Sequence, residues 1–375
     1  MDTQYFATVA RGLEDIAAQE LQKLGAQSVK VSFTGVYFQG DRELLYRVNL
    51  WSRIIFRVLV PIAKVKSFNS QQLYRSVQQI DWSEYLDPDM TLAVTCSGKN
   101  KQLNHSHFTA LQVKKAIVDQ QQQAFGERSD VDTEEPDLLV NAHIDNNRCV
   151  LSLDSSGGSL HRRGYRPAVG LAPLKETLAA ALIELSDWTP EVAFYDPLCG
   201  SGTLPIEATM IALNIAPGLN RDGFGFQNWL DYDRDLWEKL LSEAQDQQKT
   251  QMNVPIVGSD SDEEVLQQAQ ENVENCQLSD YIQLLHQNLS EAQPPADRGV
   301  IICNPPYGER LGNTEELESL YKLLGDIFKQ RFTGWTAYIL TGSKHLSKKV
   351  GLRTSQRIPI FNGSLPCTLL KYELY

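Results

Sequence analysis

Apolar positions near the start of the chain switch between two spacings. Leu13, Ile16, Ala17, Leu21 and Leu24 recur at helical spacing on one face, and Gly25 is placed to end that helix. Around it, Tyr5 to Val9, Ser28 to Phe33, Gly35 to Gln39 and Ile54 to Ala63 read as strands, and Asp41 to Leu50 reads as a second helix. The resulting β-α-β-β-α-β order is that of a ferredoxin-like unit. From about Lys64 to Tyr165 the pattern changes. It predicts a helix over Gln71 to Ile80, a strand over Thr91 to Cys96, a long helix over Ser106 to Phe125, and strands over Asp137 to Ile144 and Arg148 to Asp154. Asp145-Asn146-Asn147 supplies the turn of that last pair.

The run Ser155 to Ser159 precedes His161-Arg162-Arg163-Gly164-Tyr165-Arg166, where a seam between front and back is expected. Beyond it, helices over Pro173 to Leu185, Leu204 to Leu213 and Asp262 to Asn275 alternate with strands. These strands are Val192 to Tyr195, Pro255 to Gly258, Ile282 to Leu285, Gly299 to Cys303 and Thr336 to Leu340. Such alternation predicts an α/β domain whose largely parallel sheet is covered on both faces. Three regions are expected: 1–63, 64–165 and 166–375.

Charge sharpens the division. The net charge is -12, yet residues 1–170 carry 19 basic and 19 acidic side chains, and the acidity belongs wholly to the remainder. Two stretches in the front are basic, one around Lys99, Lys101 and Lys114 and one holding Arg162, Arg163 and Arg166. They are candidates for a phosphate-binding surface, or else ordinary solvated faces. The 6 cysteines are scattered without a Cys-x-x-Cys pair, which points to reduced thiols in the cytoplasm and to no zinc site. His105 and His107 lack a companion ligand set and read as polar loop residues. The tryptophans read as packing anchors. No signal segment or membrane span is expected.

The chemistry concentrates at strand ends of the back region. Asn304-Pro305-Pro306-Tyr307 directly follows the apolar run Gly299 to Cys303. An Asn amide and the Pro305 carbonyl are acceptors suited to an exocyclic amine, the Pro-Pro step stiffens the turn, and Tyr307 offers a flat face for a base. Asp196-Pro197-Leu198-Cys199-Gly200-Ser201-Gly202-Thr203 follows an earlier strand and opens a helix. It lacks the Gly-Lys-Ser/Thr of a phosphate loop, and Pro205 stands where a dinucleotide fingerprint needs a small residue. Asp260 ends the next strand; Asp262 is its near alternative, or simply a helix N-cap.

These motifs resemble those of Rossmann-like methyltransferases that use S-adenosylmethionine to methylate an amino nitrogen. The resemblance implies that Asp196 holds the methionine amino group, with Leu198, Gly200, Gly202 and Thr203 forming the cofactor loop. Asp260 and Ser261 would lie at the ribose, Asn288 and Leu289 at the adenine, and Asn304, Pro305 and Tyr307 at the transferred methyl. Asn288 stands where this class usually has Asp. Ala208 to Leu219, with Phe224-Gly225-Phe226 and Trp229, looks like an insertion of bacterial ribosomal RNA guanine-N2 methyltransferases. Asn141 through Leu151 to Asp154, and on to Arg166, looks like the end of an RNA-binding THUMP domain. The resemblance therefore implies a ferredoxin-like plus THUMP α+β front, a Rossmann-like methyltransferase back and S-adenosyl-L-methionine as cofactor. The expected partner is RNA, large-subunit ribosomal RNA or alternatively transfer RNA. Rival readings are a glutamine methyltransferase of release factors, a DNA adenine methyltransferase, or a non-catalytic RNA-binding factor with the same fold.

Overall fold

The computed structural model describes residues 2–166, 174–307 and 314–375. The front begins β1 (Thr3–Thr8), α1 (Glu14–Lys23), β2 (Gln27–Ser32), β3 (Gly35–Gly40), α2 (Arg42–Trp51) and β4 (Arg57–Lys66), in the expected order. Asp41 starts α2 by accepting the Leu44 N–H at 2.9 Å, a cap worth about 1 kcal/mol. Tyr5, Ala7, Val36 and Phe38 then bury one sheet face against Ala17, Leu21, Leu45 and Val48. The chain continues with α3 (Ser70–Val77), β5 (Leu92–Lys99), α4 (Ser106–Phe125), β6 (Leu138–Asp145) and β7 (Arg148–Asp154). His105 caps α4 through its Nδ1, which accepts the Phe108 N–H at 3.2 Å, so its role there is local.

The front strands build one sheet rather than two. Its seven strands run β2-β3-β1-β4-β7-β6-β5. β4 pairs with β1 over residues 57–59 on one side and with β7 over residues 59–66 on the other, crossing the border expected at 63/64.

The back comprises α5 (Glu176–Leu185), β8 (Ala193–Asp196), α6 (Thr203–Ala212), α7 (Arg234–Asp246), β9 (Ile256–Asp260), α8 (Glu263–Asn275), β10 (Ile282–His286), β11 (Gly299–Cys303), α9 (Thr314–Arg331), β12 (Thr336–Thr341), α10 (Lys344–Lys349), β13 (Gln356–Asn362) and β14 (Leu365–Glu373). The helix expected from Pro173 begins at Glu176, and Pro173 itself lies outside the described residues. The second seven-stranded sheet runs β10-β9-β8-β11-β12-β14-β13. It is parallel from β10 to β12 and closes with an antiparallel hairpin. Strand order reverses between β8 and β11, which opens a crevice at their carboxyl ends.

The two sheets meet in a continuous apolar core. Tyr46 of α2 stacks on Phe226 with ring centroids 4.2 Å apart, and Phe226 meets Trp237 of α7 edge-on. At the same seam the Arg163 side chain is only 1% exposed. It donates to the carbonyls of Leu160 and Arg53 at 2.6 Å each and faces Glu207 at 3.4 Å. The basic run containing it is therefore in part internal structure. Arg163 is not on an RNA-facing surface, because its charge is spent on buried acceptors.

Candidate functional site

The site is assembled from the carboxyl ends of β8, β9, β10 and β11. β8 is buried along its whole length, so the chain can leave it only at Asp196, after which the glycine loop turns into α6. Gly200 and Gly202 have φ of +53° and +80°, a region that favours glycine. A Cβ at Gly202 would stand 3.2 Å from the Ala269 Cβ of α8, so the missing side chain also lets helix and loop approach. Above Gly200 the space is open: a Cβ would touch only Val265, at 3.9 Å.

Hydrogen bonds fix the loop to β9 and α8. Cys199 N–H donates to the Ser259 carbonyl at 2.9 Å, Gly200 N–H to Asp260 Oδ2 at 2.9 Å, and Asn272 Nδ2 to the Ser201 carbonyl at 3.0 Å. Asp260 also accepts the Asp262 N–H, at 3.1 Å, and each of its oxygens keeps a further lone pair. Asp262 caps α8 by accepting the N–H groups of Glu264 and Val265. Ser261 is exposed between the two acids.

Asp196 is 2% exposed and accepts one N–H, from Leu198 at 3.1 Å. Burial pushes its carboxyl well above the usual carboxylate range, and the charge of Asp260 pushes the same way. Two acids face one loop, and among the described residues neither forms a salt bridge. That arrangement favours a ligand that brings positive charge. Farther along the edge, Asn288 is exposed and donates its backbone N–H to Glu291 at 2.9 Å, while Leu289 is buried at the start of a short 3-10 turn.

At the end of β11, Asn304 is half-buried and Pro305 buried. The Asn304 Oδ1 is shielded from solvent and, among the described residues, has no hydrogen-bond partner. An unmet buried acceptor costs stability, so it marks a place where a donor is expected to arrive. Tyr307 is held by the closing hairpin. Its hydroxyl accepts from Asn362 Nδ2 at 2.8 Å and lies 3.6 Å from Cys367 Sγ, and its ring runs beside Gly342, where a Cβ would sit 3.0 Å from the ring edge. Burial pushes the phenol up to about 12, so Tyr307 is a neutral aromatic at physiological pH rather than a base.

Sequence reasoning did not identify Asn362, Cys367 or Gly342 as the supports of Tyr307. Gly342 lies 35 residues downstream, just after β12, and Asn362 and Cys367 lie 55 and 60 residues downstream in a hairpin that the pattern does not announce. It also did not identify the buried chain in which Gln287 donates to the Tyr195 hydroxyl at 3.0 Å and Tyr195 shares a hydrogen bond with Ser259 at 2.8 Å. That chain braces β8, β9 and the end of β10 behind the acids.

The expected basic residues divide. Lys99 and Lys101 are exposed at the end of β5 and in the following turn, Lys114 is half-buried on α4, and Arg162 is exposed. Arg166 is turned inward, donating to Thr203 Oγ1 and pairing with Glu176 at 3.2 Å. It braces the first residue of α6 and is thus not free for a phosphate. Among the described residues no group of His, Cys, Asp and Glu could hold a metal, and no helix is long and apolar enough to cross a membrane.

Comparison with known proteins gives the family. Residues 163–371 match the RMKL-like methyltransferase domain, residues 68–154 the THUMP domain, and residues 4–59 the RlmL ferredoxin-like domain. A Synechocystis protein provisionally named an RNA methyltransferase is 60% identical over 371 residues, covering 99% of this chain and 97% of that one. The ribosomal RNA large subunit methyltransferase K/L of Cellvibrio japonicus is 42% identical over 99% of this chain but 51% of its own length. The chain thus spans about half the length of the K/L relatives it matches. A candidate methyltransferase solved in complex with SAH superposes with a TM-score of 0.89 at 31% identity, covering 100% of this chain and 98% of the other. A Listeria monocytogenes protein described as a predicted N6-adenine-specific DNA methylase superposes with a TM-score of 0.88 at 32% identity, covering 100% and 97%. The chain belongs to the RMKL-like methyltransferase family, with a ferredoxin-like segment and a THUMP domain preceding its catalytic fold.

Proposed function

We propose that this protein methylates the exocyclic N2 amine of a guanine in structured RNA, with S-adenosyl-L-methionine as the methyl donor and large-subunit ribosomal RNA as the substrate. Transfer RNA is the second substrate reading. The observation that carries the reaction type is the buried Asn304 Oδ1, without a partner among the described residues, at the end of the strand next to the one that opens the acid-lined glycine loop. RNA is favoured by the THUMP domain and by the names of the K/L relatives. The DNA adenine description of the Listeria protein has no corresponding front-end support, since a THUMP domain is an RNA-binding module.

The residues present suit the cofactor. Asp196 would hold its amino group, Asp260 and Ser261 its ribose, Asn288 and Leu289 its adenine, and Leu198, Gly200, Gly202 and Thr203 the span between. When bound, it supplies an electrophilic sulfonium methyl. The rest of the work falls to this chain. Asn304 Oδ1 and the Pro305 carbonyl accept the amine's N–H groups, turn its lone pair out of conjugation with the ring, and stabilise the positive charge that grows on nitrogen. Tyr307 stacks on the base, which must leave its helix if the target is paired.

The test is transfer of labelled methyl to separate pools of ribosomal RNA, transfer RNA, DNA and release factor, followed by digestion and identification of the product. Label in N2-methylguanosine of large-subunit ribosomal RNA is expected. Label confined to transfer RNA would select the second substrate, and label in methyladenine or methylglutamine would overturn the guanine assignment.

A further inference from the structure

Three separate chain segments meet on the surface at β13, the strand whose Asn362 holds the Tyr307 hydroxyl. The first is the turn Arg11-Gly12 that precedes α1. Gly12 has φ of +89°, and a Cβ there would stand 3.0 Å from the Pro359 carbonyl oxygen and 3.3 Å from the Ile360 Cα, so this turn rests directly on the backbone of β13. The second is the β2–β3 turn, which carries Phe33. The third is the end of β13, where Phe361 precedes Asn362, the residue that holds the Tyr307 hydroxyl.

The front two segments are tied by one carboxylate. Glu14 accepts the Gly12 N–H at 2.7 Å and the Thr34 N–H at 3.2 Å, so both turns are fixed before any ligand arrives. The Arg11 guanidinium lies 4.6 Å from the Phe361 ring centroid and 5.8 Å from that of Phe33. Among the described residues it has no carboxylate partner, and Glu14, the nearest acid in sequence, is already engaged. Phe33 is 76% exposed, an unusual position for a Phe side chain held in a fixed turn.

Aromatic faces alternating with an unneutralised arginine match the chemistry of an unpaired nucleic acid strand. Bases stack on the rings and on the guanidinium plane, while the charge meets phosphate. A protein partner would be served by the apolar faces, but it would leave the arginine charge without purpose. We propose that Phe33, Arg11 and Phe361 form a stacking platform for unpaired RNA nucleotides adjoining the target base. The ferredoxin-like segment and the closing hairpin would then jointly present the RNA to Tyr307. This rests on the RNA-methylating function proposed above, and extends it by assigning a contact outside both the THUMP domain and the cofactor site.

The test uses the full chain and two arms. In the binding arm, a fluorescent unpaired RNA oligonucleotide and a hairpin stem of the same length are titrated at several salt concentrations. Phe33→Ala should weaken binding of the unpaired strand by roughly five- to twentyfold, and Phe33→Trp should restore it. Arg11→Gln should weaken it as well and reduce the slope of log affinity against log salt by about 0.7. The stem should respond to neither. In the transfer arm, with the RNA that the wild-type protein modifies, Phe33→Ala should raise KM for RNA and leave kcat and cofactor affinity unchanged, because the ring is assigned a part in holding RNA and none in the transfer itself. Unchanged strand affinity in both Phe33→Ala and Arg11→Gln would overturn the platform, as would an equal loss on strand and stem. Loss of affinity with Phe33→Ala but an unaltered salt slope with Arg11→Gln would indicate an apolar docking surface and also overturn it. A wild-type protein that labels no RNA would defeat the proposed function while the binding arm still decides the platform.

Discussion

At the seam between the sheets, Glu207 is fully buried against Arg163 and Glu176 nearly so against Arg166. At the edge of the back sheet, Asp196 is as deeply buried, yet it receives a single backbone N–H and is opposed by the charge of Asp260. The same physical expense, removing a carboxylate from water, is offset in the first region by an arginine facing one oxygen of each acid, whereas in the second no cation of the described residues pairs with the acid. A compensated buried acid is architecture. An uncompensated pair facing a glycine loop is a receptor for positive charge from outside.

The largest expected effect comes from breaking the compensated region. Arg163→Met leaves Glu207 without its cation and should cost about 3–5 kcal/mol of stability, measured by denaturant unfolding. A loss below about 1 kcal/mol would mean that the seam acids need no internal partner, and the contrast between the two regions would disappear.

Next in size is the effect on transfer of removing the partnerless acceptor. Asn304→Ala should slow methyl transfer about a hundredfold or more while leaving unfolding and cofactor binding nearly unchanged. Single-turnover rates beside calorimetric cofactor titration check this. A normal rate in the variant would take the tetrapeptide out of the chemistry.

The smallest effect has the most distinctive sign. The Asp196 carboxyl titrates above its unfolded value, so the folded protein binds that proton more tightly than the unfolded chain does. Its contribution to stability is therefore present below the usual carboxylate range and is lost as pH rises through the raised value. Asp196→Asn should make the cofactor-free protein melt a few degrees higher at neutral pH, with the gain shrinking toward pH 4, while cofactor affinity falls. Melting curves across pH would refute the uncompensated-acid reading if the variant were equally or less stable at every pH.

Much of this was legible in the sequence because strand ends carry their own punctuation. Gly299–Cys303 and Ser106–Phe125 are found where the pattern places them, since each is a long regular run bounded by Pro, Gly or polar residues. The closing hairpin was not legible. Pro359 and Pro366 argue against strand, and only its place at the sheet edge lets β13 accommodate Pro359. The pattern assigns no bounds to the helices α7 and α9 despite their apolar faces. The inward turn of Arg163 and Arg166 was hidden for another reason. A cluster of basic residues has one appearance in sequence whether it meets solvent or buried acids, and Glu207, the acid that decides the matter for Arg163, is 44 residues away.

One consequence of β4 concerns how the molecule can be divided. Because this strand is hydrogen-bonded to β1 on one side and β7 on the other, no cut between the ferredoxin-like and THUMP segments leaves both with finished borders. A fragment ending near residue 63 would lose the partner that covers β4, and one beginning there would bare β7, whose Leu151 and Leu153 belong to the THUMP core. Either piece would offer a long, sticky ladder of unpaired amides to its neighbours. The smallest portion at this end of the chain whose strand borders are all complete is therefore the whole seven-stranded sheet.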